Sequence, residues 1–322
     1  ADTDALYLTA IDKYGHELWR WTFPVNKLNQ QTEQLSPLSS RPTYTETEND
    51  LTVKANKRTF IFSKKDGQLK GVSVDNRKIS FANGPRFIGA RRADRSLDQF
   101  YNHDDEKAKE KDRTYSEFPD AAVFTKLDVK EDGGNLVVTA NYKLGNLDKA
   151  QWTINPSGDL ALDYTYNFSG VVDLMGIRFD YPEDQVISKR WLGAGPYRVW
   201  QNRIHGTQYD VWENDYNDPI PGETFTYPEF KGYFGNVSWM NIQTKEGTIS
   251  LTNETPDAYI GVYQPRDGRD RLLYTLPKSG ISVLNVIPPV RNKVNSTDLC
   301  GPSSQPKWVN GPQTGRVIFR FM

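Results

Sequence analysis

From Leu51 onward the chain is written as short runs in which apolar and polar side chains alternate, each closed by Gly, Pro, Asn or Asp. A period of two belongs to strands with one buried face. Leu160, Leu162, Tyr164 and Tyr166 are the clearest case, four apolar side chains on one side of a run that ends at Phe168. Comparable runs are expected at 51–55, 58–63, 69–74, 121–124, 126–130, 135–144, 150–154, 174–181 and 186–192. Later ones fall at 232–241, 247–253, 258–263, 272–276, 280–287 and 316–321. Asp66-Gly67 and Asn155-Pro156-Ser157-Gly158 supply turn chemistry, and Gly84-Pro85 reads as a break. No strand–helix rhythm and no fixed-period repeat runs through the chain, which argues against a parallel sheet and a propeller. What remains is an all-β fold, a large antiparallel sandwich.

Two segments depart from that pattern. Before residue 49, Leu6–Ile11 and Glu17–Phe23 flank the turn residues Asp12–Gly15 and read as a hairpin closed by Pro24. A hairpin of that size does not hold together alone in water, so it must pack on something. Asn26 to Glu48 is rich in Ser, Thr, Gln and Pro and reads as a linker. The expected division is therefore 1–48, hairpin plus linker, and 49–322, sandwich. The mixed-charge run from Asp104 to Asp112 pairs Asp105 with Lys109 at helical spacing and is expected to be a short solvated helix.

Charge and cysteine content remove whole classes of function. A formal net charge of -1 gives no electrostatic case for nucleic acid or an acidic membrane surface. No apolar run is long enough to span a bilayer. The lone Cys300 can form neither an internal disulfide nor a multi-thiolate metal site. Ala1-Asp2-Thr3-Asp4 lacks the features of a signal peptide, and compartment is not legible.

The stretch from Trp191 to Asn217 carries the most chemistry. Gly193 and Gly195 are expected to let the chain turn sharply after a strand. Trp200 and Trp212 then alternate with Arg, Asn, Gln, Asp and Glu. Aromatic faces beside fork-shaped polar groups suit a sugar, and they are equally ordinary sheet material. Glu213-Asn214-Asp215-Tyr216-Asn217-Asp218 is oxygen-rich and reads as either a calcium loop or a solvated turn. Glu213, Asp215, Glu223 and Glu229 supply carboxylates for glycoside hydrolysis, and His205 with Glu213 an acid–base pair for sugar ring opening. Spacing singles out none of these. The three histidines are scattered, and no Gly-x-Ser-x-Gly elbow is present.

Several segments resemble one family. Arg190-Trp191-Leu192-Gly193-Ala194-Gly195-Pro196 is similar to the Trp-Leu-Gly-x-Gly-Pro signature in the C-terminal domain of family 2 β-galactosidases. Phe62-Ser63 with Gly67 and Leu69 resembles that domain's first hairpin. Tyr227-Pro228-Glu229, followed by Gly232 and Trp239, resembles a later segment of it. Asp12, Gly15 and Glu17-Leu18-Trp19 look like the closing strands of the immunoglobulin-like domain that precedes it. The resemblance implies a galactose-mutarotase-like supersandwich that completes the active site of a glycosidase. Catalysis in that family belongs to two glutamates on a (β/α)₈ barrel of roughly 250 residues, and nothing in this chain reads as one. It implies carbohydrate and the enzyme's other domains as partners, with Mg or Na belonging to the parent enzyme and no cofactor of the chain's own. It also implies a periplasmic or extracellular setting if the parent degrades polysaccharide. Where the family's late loop carries a stacking tryptophan, this chain has Cys300, with Trp308 nearby. The residues expected to touch sugar or a neighbouring domain are Trp200, Asn202, Arg203, His205, Trp212, Glu213 and Trp308. The tryptophans would stack and the others would hydrogen-bond hydroxyls. A free-standing carbohydrate-binding module and a mutarotase-like epimerase are the alternatives.

Overall fold

The computed structural model describes residues 5–24, 40–92, 115–216, 218, 220–222, 231–262, 276–289 and 301–322. The expected helix around 104–112, the strand at 272–275, the carboxylates Glu223 and Glu229, and the loop at 295–300 with Cys300 lie outside them.

The strands, in chain order, are β1 (Ala5–Ile11), β2 (Glu17–Pro24), β3 (Thr43–Glu46), β4 (Asp50–Ala55), β5 (Arg58–Ser63), β6 (Leu69–Val74), β7 (Arg77–Ile79) and β8 (Ala82–Arg92). There follow β9 (Tyr115–Glu117), β10 (Val123–Asp132), β11 (Asn135–Lys143), β12 (Leu147–Ile154), β13 (Leu160–Val172), β14 (Leu174–Asp180) and β15 (Val186–Gly195). The last are β16 (Gln208–Asp215), β17 (Trp239–Thr244), β18 (Gly247–Asn253), β19 (Tyr259–Gly261), β20 (Ile281–Val286) and β21 (Lys307–Phe321). One nine-stranded sheet runs β10-β11-β12-β13-β21-β18-β17-β15-β16. A ten-stranded sheet runs β19-β20-β14-β8-β6-β5-β4-β3, with β7 on β6 and β9 on β8. All strand pairs are antiparallel, and no α-helix occurs among the described residues. The fold is the large all-β antiparallel sandwich that the alternation predicts.

The main core lies between the two sheets and is built from their inward residues. Leu160, Leu162, Tyr164 and Tyr166 of β13 are all buried, as their period of two requires. They meet Phe60, Phe62 and Phe179 from the opposite sheet in one cluster. A second, smaller core sits on the outer face of the ten-stranded sheet. Neighbouring residues divide between the two: Phe87, Met175 and Val283 face the main core, and Ile88, Leu174 and Leu284 the second. Strands buried on both faces read as continuous apolar runs, which explains Phe87-Ile88 and Leu174-Met175.

Three local readings need correction. β3 lies inside the expected linker and pairs with β4 from Thr43↔Lys54 to Glu46↔Leu51, so the sandwich begins before residue 49. Its four side chains are exposed at the sheet's edge, and it has no apolar period to read. β8 runs straight through Gly84-Pro85. Its pairing with β6 is confined to Leu69↔Gly84, so the missing N–H of Pro85 interrupts no extended ladder there. Gly193 and Gly195 lie within β15 and not at a turn. A Cβ on Gly195 would sit 2.4 Å from Cδ1 of Trp212, and one on Gly193 3.0 Å from Cα of Val237. Both glycines serve close approach.

The hairpin β1–β2 is separate from both sheets. Its register places Leu6 opposite Phe23, Leu8 opposite Trp21 and Ala10 opposite Trp19. One whole face is therefore apolar, and its five large side chains are between 45% and 58% exposed. Tyr7 on the other face donates to Asp210 Oδ1 of β16 at 2.6 Å, and the guanidinium of Arg20 lies 5.0 Å from the Tyr7 ring centre.

Candidate functional site

The turn at 200–207 brings part of the expected set together. The backbones of Trp200 and Arg203 bond each other, Arg203 N–H donating to Trp200 O at 2.8 Å. Tyr197 Oη donates to the carbonyl of His205 at 3.1 Å, and Thr207 Oγ1 to that of Ile204 at 3.0 Å. Gly206 takes φ +92°, a left-handed conformation that the close Tyr197 hydroxyl also reserves for glycine. Arg203 and His205 are exposed on this turn, with Asn202 half-buried.

Buried Gln201 fixes the turn to a distant segment. Its Nε2 donates to the carbonyls of Ser303 at 3.0 Å and Gln305 at 2.7 Å. Asn202 Nδ2 reaches Ser304 Oγ at 3.3 Å. The chain leaves 302–305 directly into β21, whose second residue, Trp308, is 69% exposed. Asn202, Arg203 and His205 thus share one turn, and Asn202 joins it to the segment that carries Trp308. Gln201 was not singled out from sequence, because an amide bridging two turns leaves no periodic mark.

Trp200 must be reassigned. It is fully buried in the second core, edge-on to Tyr233 at 5.9 Å, and offers no face to a sugar. The chain here crosses the outer face of the ten-stranded sheet, so a position that alternation would expose is covered. Trp212 is half-buried opposite Trp191 and rests against the main core, with Nε1 donating to Gln208 O at 3.3 Å. Glu213 is exposed opposite Arg190 on β15. Among the described residues no hydrogen bond or ion pair joins His205 to Glu213. Gly195→Ala is expected to push the Trp212 ring from its seat and cost about 1–3 kcal/mol. A lower thermal midpoint with shifted tryptophan fluorescence is the readout; an unchanged midpoint contradicts the close approach.

The oxygen-rich turn after β16 is held from below by a buried amine. Lys189 is fully buried, and its Nζ donates to the carbonyls of Asp215 and, at 3.4 Å, Asp218. Asn214 Nδ2 donates to the same Asp218 carbonyl at 2.6 Å. Burial, and then the nearby Arg198 guanidinium, pull the Lys189 amine down to about 6. Burial raises the Asp218 carboxyl. No group of three or more His, Cys, Asp or Glu side chains is placed to hold a metal among the described residues.

Comparison with known proteins adds the following. Among curated proteins no relative matches the chain. Of solved structures, the galactose 1-epimerase from Lactobacillus acidophilus NCFM aligns at 8% identity and a TM-score of 0.43, over 88% of this chain and 99% of that one. The GalM/aldose epimerase homologue from C. elegans aligns at 6% identity and 0.37, over 87% of this chain and 99% of that one. The family model of the β-galactosidase small chain matches residues 54–299, most of the two packed sheets. The chain belongs to the β-galactosidase small chain family.

Proposed function

We propose that this chain is the non-catalytic C-terminal sandwich of a family 2 glycoside hydrolase of the β-galactosidase type, and that it forms one wall of the active site. The observation that carries the reading is the exposed Trp308, which follows by three residues the 303–305 segment that Gln201 and Asn202 bind. In this reading the Trp308 face supplies stacking for the apolar face of a galactoside, and exposed Arg203 and His205 with half-buried Asn202 supply partners for its hydroxyl rim. Trp212 and Glu213, on edge strand β16, serve contacts with the neighbouring domains in this reading. The apolar face of Leu6, Leu8, Trp19, Trp21 and Phe23 packs on the immunoglobulin-like domain that precedes the sandwich. Sheet faces of that kind are stable only against a second sheet or helix layer. Family membership and the strand-only architecture support a role beside a reactive centre held elsewhere.

The test uses an aryl β-galactoside. The purified chain alone is expected to give no turnover above buffer. Added to a family 2 β-galactosidase truncated before its last sandwich, it is expected to restore activity. Trp308→Ala is expected to lower the restored kcat/KM about tenfold, the equivalent of roughly 1.4 kcal/mol of stacking. Turnover by the chain alone, or rescue indifferent to Trp308, refutes the reading.

A further inference from the structure

We propose that the cleft between the 236–238 turn and the 254–258 loop binds a single neutral sugar ring or a cyclic polyol. The inference goes beyond the role proposed above and shares no residue with the Trp308 end of the molecule. The cleft encloses about 340 Å³, at the lower end of the range for small-molecule sites and enough for one pyranose. Its walls are tied together before any ligand arrives. Asn253 Nδ2 donates to the carbonyls of Val237 at 3.1 Å and Thr255 at 3.2 Å, and its Oδ1 accepts from Thr255 N–H at 3.0 Å. Thr255 Oγ1 in turn donates to Arg316 O at 3.0 Å. A preformed site of this kind costs little ordering on binding.

The chemistry of the lining selects the ligand. Buried Val237 and Ala258 and exposed Pro256 give the lining its apolar contacts, while Asn236, Glu254 and Asp257 add amide and carboxylate groups. Asn236 and Asp257 both hold positive φ, 47° and 54°, which turns the chain sharply at each side of the opening. Arg316 Nε donates to Glu254 Oε2 at 2.9 Å, and Arg316 also binds Asp163, so this guanidinium is already paired with two carboxylates. Among the described residues no lysine or arginine lines the cleft, and two carboxylates do, so an anion is repelled. No aromatic ring among the described residues lines it to hold a flat hydrophobic ligand. A polyhydroxylated ring suits this mixed lining, its C–H face against the apolar side chains and its hydroxyls donating to Glu254 Oε1 and Asp257.

Saturation-transfer NMR on the intact chain, with D-galactose, D-glucose and myo-inositol at millimolar concentrations, tests this. At least one of the three is expected to show saturable transfer. Glu254→Gln and Asp257→Asn keep the shape of the cleft, since asparagine tolerates a positive φ. Each is expected to weaken binding at least fivefold. D-glucuronate, the same ring carrying a carboxylate, is expected to bind at least tenfold more weakly than D-glucose. Three outcomes overturn the proposal: no transfer from any of the three neutral ligands, glucuronate binding equal to glucose, or transfer that Trp308→Ala abolishes while both cleft variants keep it.

Discussion

Trp152→Ala is expected to lower the unfolding free energy by about 3–5 kcal/mol, the usual cost of deleting a large buried aromatic side chain. Trp152 projects from β12 of the nine-stranded sheet and is fully buried. Its ring centre lies 6.0 Å from Phe62 and 6.0 Å from Phe179, both on strands of the ten-stranded sheet. Removing it therefore opens a void at the seam that joins the two sheets, where rigid ladders on both sides limit collapse. Urea unfolding should show the loss in full, and the thermal midpoint should fall by about 4–7 °C. Trp152→Phe separates packing from polarity. The indole Nε1 is buried without a hydrogen-bond partner among the described residues, so phenylalanine keeps a ring in the seam while deleting an unsatisfied donor. That variant is expected to stay within about 1.5 kcal/mol of the parent. An alanine variant as stable as the phenylalanine one would mean that the sheets do not meet at this residue.

What could be read from the sequence was what period two encodes. Strands with one buried face, such as β13 and β5, announce themselves. The turn at Asp12 does too, because its carboxylate accepts from the backbones of Tyr14 and His16 at 2.8 and 2.9 Å. Three things were hidden for separate physical reasons. β3 exposes every side chain at the sheet's edge. The first half of β21 carries Asn310, Gly311, Pro312 and Gln313, which read as loop, yet it pairs with β13 from Val172↔Lys307 onward. Trp200 looked available because nothing local reports a second core formed by segments far apart in the chain. The candidate site shows the same division. Asn202, Arg203 and His205 are neighbours in sequence and so could be proposed together, but the contacts of Gln201 and Asn202 with 303–305 span about a hundred residues and leave no trace in local pattern.

Between about pH 6.5 and 9 the stability of the chain is expected to rise with pH, and Lys189→Met is expected to flatten that rise. Lys189 is fully buried, and its amine is pulled down to about 6 by burial and by the Arg198 guanidinium. In the unfolded chain the same amine stays protonated up to about 10.4. Across the interval the unfolded state therefore binds one proton that the native state does not. Stability must then climb by about 1.4 kcal/mol per pH unit from this group alone. Below about 6 both states are protonated and the full cost of burying the charge is felt; above the unfolded value the cost is gone. Tyrosines such as Tyr142, Tyr164 and Tyr233 are raised by burial, so their contribution begins only above the interval. Urea titrations at pH 6.5 and 9 should differ by about 3 kcal/mol for the parent chain. The difference should fall by most of that amount in Lys189→Met. Lys189→Gln, which keeps a donor for the carbonyls of Asp215 and Asp218, should lose the slope while retaining more of the stability at pH 9. Equal slopes in all three proteins would show that the amine keeps its proton in the folded state, paired beneath the Asp215–Asp218 turn.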